Sequence, residues 1–135
     1  MLLRLDFSGE VPIYQQIRNQ IVLGIAEGKL EPGQRLPSTR ALAEECGVNV
    51  MTISKAYRLL KSEGYLTADR RGGTVVCAAA KPGTPKPETL AQLRLCLGEL
   101  RLAGLSEAQA VELCRSLYHA DGLQPSAPPP DNVGA

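Results

Sequence analysis

Tryptophan is absent from this 135-residue chain, phenylalanine occurs once and tyrosine four times. Any core must therefore be built from leucine, isoleucine, valine and alanine. The single histidine, His119, provides for no Ser-His-Asp or Cys-His arrangement, and no pair of carboxylates stands out as an acid and base. The four cysteines, Cys46, Cys77, Cys96 and Cys114, form no C-x-x-C pair, and with one histidine they complete no zinc set. Catalysis, metal and cofactor are thus all unexpected. Long hydrophobic runs are missing too. Met1-Leu2-Leu3-Arg4-Leu5-Asp6 is too short for a signal peptide, and no stretch approaches the ~20 apolar residues of a membrane span. The expectation is a cytoplasmic protein with reduced thiols. Charge of one sign is also lacking. The net charge is +1, with ten Lys/Arg against eight Asp/Glu in residues 1–77 and five against six afterwards. Composition alone names no partner, and the positions of the cations must make the case.

What is present is pattern. Ile13, Ile17, Ile21 and Ile25 recur every four residues, with Tyr14 beside them, and predict a helix from Pro12 to about Glu27. Pro12 suits its first turn and Gly28 its end. Glu31-Pro32-Gly33-Gln34 reads as a turn. Ser38 then caps a second helix running to about Cys46, with Leu42 and Ala43 on its inner face. Gly47 breaks it and Asn49 caps the next. Val48 and Ile53 have the spacing of a hydrophobic staple. That third helix turns Ile53, Ala56, Tyr57 and Leu60 inward and ends near Glu63-Gly64. Two helices joined by a tight glycine turn, the second with a polar outer face, form a helix-turn-helix. The period then changes. Tyr65–Asp69 and Thr74–Cys77 are short β-type runs around Arg70-Arg71-Gly72-Gly73, a hairpin with two arginines at its tip. The order describes a winged helix.

A helix entering the major groove presents short polar or cationic groups from its first two turns. Here those turns offer Asn49, Val50, Met51, Thr52, Ser54 and Lys55, with Arg58 one turn on. Val50 and Met51 are unusual on such a face and, if exposed, suit contact with thymine methyl groups. Asn49 serves either as cap alone or as cap and contact. Arg40 lies in the first turn of the second helix, where a helix-turn-helix approaches the DNA backbone or groove edge, the alternative being a solvated arginine. Arg70, Arg71 and Gly72 fit phosphate or minor-groove contact, the alternative being a solubilising loop.

Lys81-Pro82-Gly83-Thr84-Pro85-Lys86-Pro87 reads as a stiff linker, residues 78–87. Leu90, Leu93, Leu97 and Leu100 then return at helical spacing. After Gly104, Ser106-Glu107-Ala108-Gln109 opens a further helix with a capping box, carrying Val111, Leu113 and Leu117. Helices 88–103 and 106–119 offer more apolar surface than two helices hide in each other, so these seven residues are expected to meet a second copy of the chain. The fold class is therefore α+β, mainly helical: a winged helix-turn-helix over 1–77, the linker, a two-helix dimerisation segment over 88–121, and a disordered proline-rich tail over 122–135.

Val11-Pro12-Ile13-Tyr14-Gln15-Gln16-Ile17, Leu36-Pro37-Ser38-Thr39-Arg40-Ala41-Leu42-Ala43, Gly47-Val48, Thr52-Ile53-Ser54-Lys55-Ala56-Tyr57 and Glu63-Gly64-Tyr65-Leu66 together resemble the GntR family of bacterial regulators. The likeness runs from about residue 10 to residue 77. The short two-helix tail resembles the YtrA-type subfamily, which dimerises through those helices. The resemblance implies a homodimeric repressor of its own or a transporter operon, bound to double-stranded DNA at a pseudo-palindromic operator. It carries DNA contact to Arg40 and Thr52. Val50-Met51 stands where many relatives have Arg-x or Pro-Asn, and Arg71-Gly72-Gly73-Thr74 where the wing commonly reads Gly-x-Gly-Thr, so a family operator sequence is not implied. Related segments also occur fused to aminotransferase-like domains, for which 135 residues leave no room. Two further readings place a sensor in the dimer helices: a thiol switch at Cys96 and Cys114, against small buried core cysteines, or a small-molecule effector between those helices and the winged domain.

Overall fold

Four isoleucines at intervals of four place one stripe along α1 (Ile13–Ala26), and Ile17 and Ile21 are fully buried by it. In the computed structural model, which describes residues 3–77, 83 and 85–119, the order continues with α2 (Thr39–Cys46), α3 (Val50–Ser62), β1 (Leu66–Ala68), β2 (Thr74–Val76), α4 (Pro87–Leu102) and α5 (Glu107–Tyr118). The chain divides into two units, residues 1–80 and 81–135. Among the described residues no helix is long and apolar enough to cross a membrane.

In the first unit α3 packs against α1, α2 and β1. The core joins Ile17 and Ile21 to Leu30, Leu36, Leu42, Ala43, Ile53, Ala56, Tyr57, Leu60, Leu66 and Val76. The helix boundaries follow from local chemistry. Ser38 Oγ accepts from the amide of Ala41 at 3.0 Å, and Gly47 closes α2 in the left-handed region at φ 70°. Asn49 Oδ1 accepts from the amide of Met51 at 2.7 Å and starts α3. One expectation is corrected. Pro12 is the N-cap of α1 and not a residue of its first turn. Its extended backbone leaves the helix to start at Ile13, and its carbonyl accepts from Gln15 and Gln16.

Two features of this unit were not foreseen. The N-terminal arm lies along α1, with Leu3 and Leu5 against the core. Asp6 donates its amide to Gln16 Oε1 at 2.8 Å, and Gln16 Nε2 donates back to the Asp6 carbonyl at 2.8 Å. One turn on, Gln20 makes the same reciprocal pair with the main chain of Arg4. Two glutamines thus hold the main chain of the arm through paired side-chain hydrogen bonds. The second feature is at the wing. β1 and β2 pair antiparallel, Leu66 opposite Val76. The turn at Glu31–Gln34 then feeds a segment onto the far edge of β2. Gly33 donates to the Val76 carbonyl, Val76 to that of Gln34 and Leu36 to that of Thr74, each at 2.9 Å.

In the second unit α4 begins at Pro87 after Lys86, one residue into the expected linker. Ser106 and Gln109 form the capping box of α5, at 2.9 and 3.2 Å. α4 and α5 pack on each other. Leu113 is buried, so its apolar surface is covered within one chain, contrary to its expected place on a face for a second copy. Leu90, Leu93, Leu97, Val111 and Leu117 are exposed and Leu100 is half-buried. Cys96 and Cys114, weighed above as core cysteines, are also exposed in the single chain. The sequence-predicted disordered tail lies outside the described residues, as does most of the linker.

Candidate nucleic-acid interface

The buried row Ile53, Ala56, Tyr57 and Leu60 fixes the rotation of α3. A helix pinned on one face presents the other at the same angle along its length. Val50, Met51, Lys55 and Arg58 are consequently exposed, and Thr52 and Ser54 are half-buried at the edges. Tyr57 also ties α3 to the approach of α2. Its hydroxyl donates to the Pro37 carbonyl at 2.8 Å, and burial pushes its ionisation well above the ordinary tyrosine range. It is therefore a neutral donor at any physiological pH. The bond sits one residue before the Ser38 cap, so it sets how α2 and exposed Arg40 stand against α3.

Lys55 is held in a way its position in the sequence did not reveal. Its Nζ lies 4.1 Å from the centroid of the Tyr14 ring, within cation–π range. Ile13, Tyr14, Met51, Thr52 and Lys55 line one open groove between the starts of α1 and α3. Asn49 is exposed at the cap, its oxygen engaged by the Met51 amide.

At the wing, Arg70, Arg71 and Gly72 are exposed on a tight turn. Gly72 donates to the Asp69 carbonyl and Asp69 to the Gly73 carbonyl, both at 3.0 Å. Gly72 and Gly73 both have φ 87°, a region costly for residues with a Cβ. The turn is braced from outside by Arg35. Its Nη1 donates to the Gly72 carbonyl at 2.7 Å and its other terminal nitrogen pairs with the Asp69 carboxylate. A Cβ at Gly73 would run into that guanidinium. Arg35, Asp69 and Tyr14 were missed in the sequence. Only Arg70-Arg71-Gly72-Gly73 gave a signal, and it spoke for a hairpin tip and not for a brace.

At the far end of α3, Arg18 makes a two-pronged pair with Glu63, both contacts 2.9 Å, and lies over the Tyr65 ring. The pairing raises the guanidinium's already high ionisation further. This cation serves the packing of α1 on the end of α3. The seven expected dimer residues all belong to the second unit.

A winged helix-turn-helix with this order of elements has relatives. Residues 13–76 match the model of the bacterial regulatory proteins, gntR family. The structure of YtrA from Sulfolobus acidocaldarius, a GntR-family transcription factor, is 34% identical, with a TM-score of 0.60, over 76% of this chain and 99% of that one. The chain belongs to the GntR family. This GntR protein is 38% identical over 80 residues to the transcriptional repressor YtrA of Bacillus subtilis (strain 168), covering 59% of its own length and 62% of the relative's. Its winged unit is similar to the AraR DNA-binding domain solved in complex with operator ORX1, at 35% identity and a TM-score of 0.50, over 56% of this chain and 96% of that one. The chain spans about three-fifths of its shorter curated relatives and about one-seventh of longer ones. These relatives are named as transcriptional regulators.

Proposed function

We propose that this GntR protein is a transcriptional regulator that binds a pseudo-palindromic operator as a homodimer and represses its own or a transporter operon. The observation that carries the reading is α3 itself: one face is locked into the core, and the other is exposed at the N-terminal turns that a helix-turn-helix inserts into the major groove. The AraR complex with its operator supports the same use of a similar unit. Arg40, Arg58, Arg70 and Arg71 are all exposed and supply phosphate or groove contacts around α3. Leu90, Leu93 and Leu97 on α4, with Val111 and Leu117 on α5, supply the apolar surface for a second copy. Repression is the role in the name of the B. subtilis relative, and a dimer bound over a promoter achieves it by steric occlusion.

Selection of duplexes from a random pool by the full chain, followed by gel shifts, tests the proposal. Half-sites in inverted repeat are expected. Arg40→Ala and the double change Arg70→Ala, Arg71→Ala should each weaken binding at least tenfold, with sedimentation still reporting a dimer. Unchanged affinity in both variants would overturn the assignment.

A second reading adds a thiol switch to the same protein. The observation favouring it is that Cys96 and Cys114 are both exposed, one on each helix of the second unit. Operator affinity that does not differ between reduced and oxidised protein would dispose of it.

A further inference from the structure

The start of α3 is poorly equipped for the commonest way of reading a base. Guanine is read by a cation that donates to O6 and N7 together, and adenine by an amide that accepts from N6 and donates to N7. Val50 and Met51 can do neither, and they are respectively 38% and 65% exposed. Asn49 has the right amide, but its oxygen is already engaged by the Met51 main chain at 2.7 Å. Lys55 has the right charge, but its ammonium is drawn toward α1 and seated on the Tyr14 ring. Arg58 lies eight residues beyond Val50, about 12 Å further along the axis at the α-helical rise, too far to address the same base pair.

Thr52 and Ser54 keep hydroxyls at the edges of this face, and what the major groove offers Val50 and Met51 is a methyl group. Thymine carries one at C5, projecting into the groove, and an apolar side chain gains by covering it. Val50 and Met51 occupy the first and second positions of the helix, where side chains reach deepest. Neither belongs to the core row of Ile53, Ala56, Tyr57 and Leu60, and Met51 is the more exposed of the two. Exposed apolar groups with little part in the fold gain a purpose at that point only when something apolar covers them.

We infer that the first turn of α3 reads pyrimidine C5-methyl groups in the major groove through Val50 and Met51, making them the specificity-determining residues of this regulator. The inference rests on the proposal that this helix enters operator DNA. The shared chemistry is the methyl group, which thymine supplies in all DNA and 5-methylcytosine in modified DNA.

The test uses the full chain and the duplex selected from the random pool, resynthesised in three forms. One carries thymine, one carries deoxyuridine at each half-site thymine in turn, and one carries cytosine or 5-methylcytosine there, with guanine opposite. One or two positions per half-site are expected to lose about fourfold in affinity when the methyl is removed, the equivalent of one buried methylene. The Val50→Ala, Met51→Ala double variant should bind thymine and uridine duplexes alike, while circular dichroism shows an unchanged unfolding midpoint. Recovery with 5-methylcytosine relative to cytosine adds the modified base as a source of the methyl. Loss with both cytosines, alongside the uridine loss, assigns the methyl to thymine. Equal wild-type affinity for thymine and uridine forms, with binding still dependent on Arg40, would overturn the inference and leave the DNA-binding proposal standing. Retention of no duplex at all from the pool would overturn that proposal.

Discussion

Arg35 reaches the carbonyl of Gly72 across the wing, donating from Nη1 at 2.7 Å, while its other arm pairs with Asp69 at the opposite end of the same turn. One side chain from the loop before α2 thereby holds both ends of the loop between β1 and β2. The arginines at positions 70 and 71 are presented on a turn whose shape is set by a third.

Removing that brace should cost little stability and more function. Arg35 is about half exposed, and pairs of this kind contribute about 1 kcal/mol or less. Arg35→Ala is expected to leave the unfolding midpoint nearly unchanged in urea, followed by circular dichroism. Its operator affinity should fall several-fold as Arg70 and Arg71 lose their fixed placement. Gly73→Ala should be worse on both counts, since its φ of 87° disfavours alanine and the added methyl displaces the guanidinium.

Tyr57→Phe separates packing from hydrogen bonding in the core. The ring stays, but the Pro37 carbonyl loses its donor. A cost of about 1–2 kcal/mol is expected from urea unfolding, with an unchanged denaturant slope. The wild-type bond should be insensitive to pH across the neutral range, because burial keeps the phenol protonated there. The folded ionisation is raised, so any contribution is present below the unfolded value and is lost only as pH climbs through the folded one. A wild-type against Tyr57→Phe stability difference that changes between pH 6 and pH 8 would contradict this.

Asn49 has two readings, cap and contact, and two substitutions divide them. Asn49→Ala removes the acceptor for the Met51 amide and should cost about 1 kcal/mol. Asn49→Ser keeps a capping oxygen and should keep most of that stability. If Asn49→Ser also keeps operator affinity in a gel shift, the residue is a cap alone.

In the second unit Leu113 and Leu97 should fail differently. Leu113 is 9% exposed, and Leu113→Ala is expected to destabilise the pairing of α4 with α5 by about 2 kcal/mol. Leu97 is exposed at 39%, and Leu97→Glu should leave each chain folded but shift sedimentation from dimer to monomer. A dimer of undiminished stability in Leu97→Glu would remove this face from the interface.

Cys46 offers a check on burial in solution. Burial is the main cause raising its thiol above the ordinary cysteine range, with Glu45 adding to it. Less thiolate at pH 8 means slower alkylation. Peptide mapping after a timed iodoacetamide pulse should find Cys46 modified more slowly in the folded protein than in urea.

Much of this was legible in the sequence because it was local. The isoleucine ladder of α1, the Ser38, Asn49 and Ser106 caps and the glycine turns each involve residues a few positions apart, and the structure places them as read. The misses were of longer reach. The 33–36 edge of the wing meets β2 some 40 residues later, through a single bridge at Arg35 and Val75 that leaves no alternating pattern. Gln16 and Gln20 look like surface residues of an amphipathic helix, and nothing in their own segment announces an arm to hold. Periodicity put Leu113 on an apolar face, but it cannot distinguish a face turned to the neighbouring helix from one turned to another chain.

The division of α3 into two rows has a consequence for how such a regulator diverges. Ile53, Ala56, Tyr57 and Leu60 carry the packing, whereas positions 50, 51 and 58 point away from the core. Substitutions at those three can accumulate with little penalty to folding, so inheritance constrains the buried row far more tightly than the exposed face. On the reading proposed above for Val50 and Met51, a duplicated copy acquires a new binding site by changing two exposed side chains.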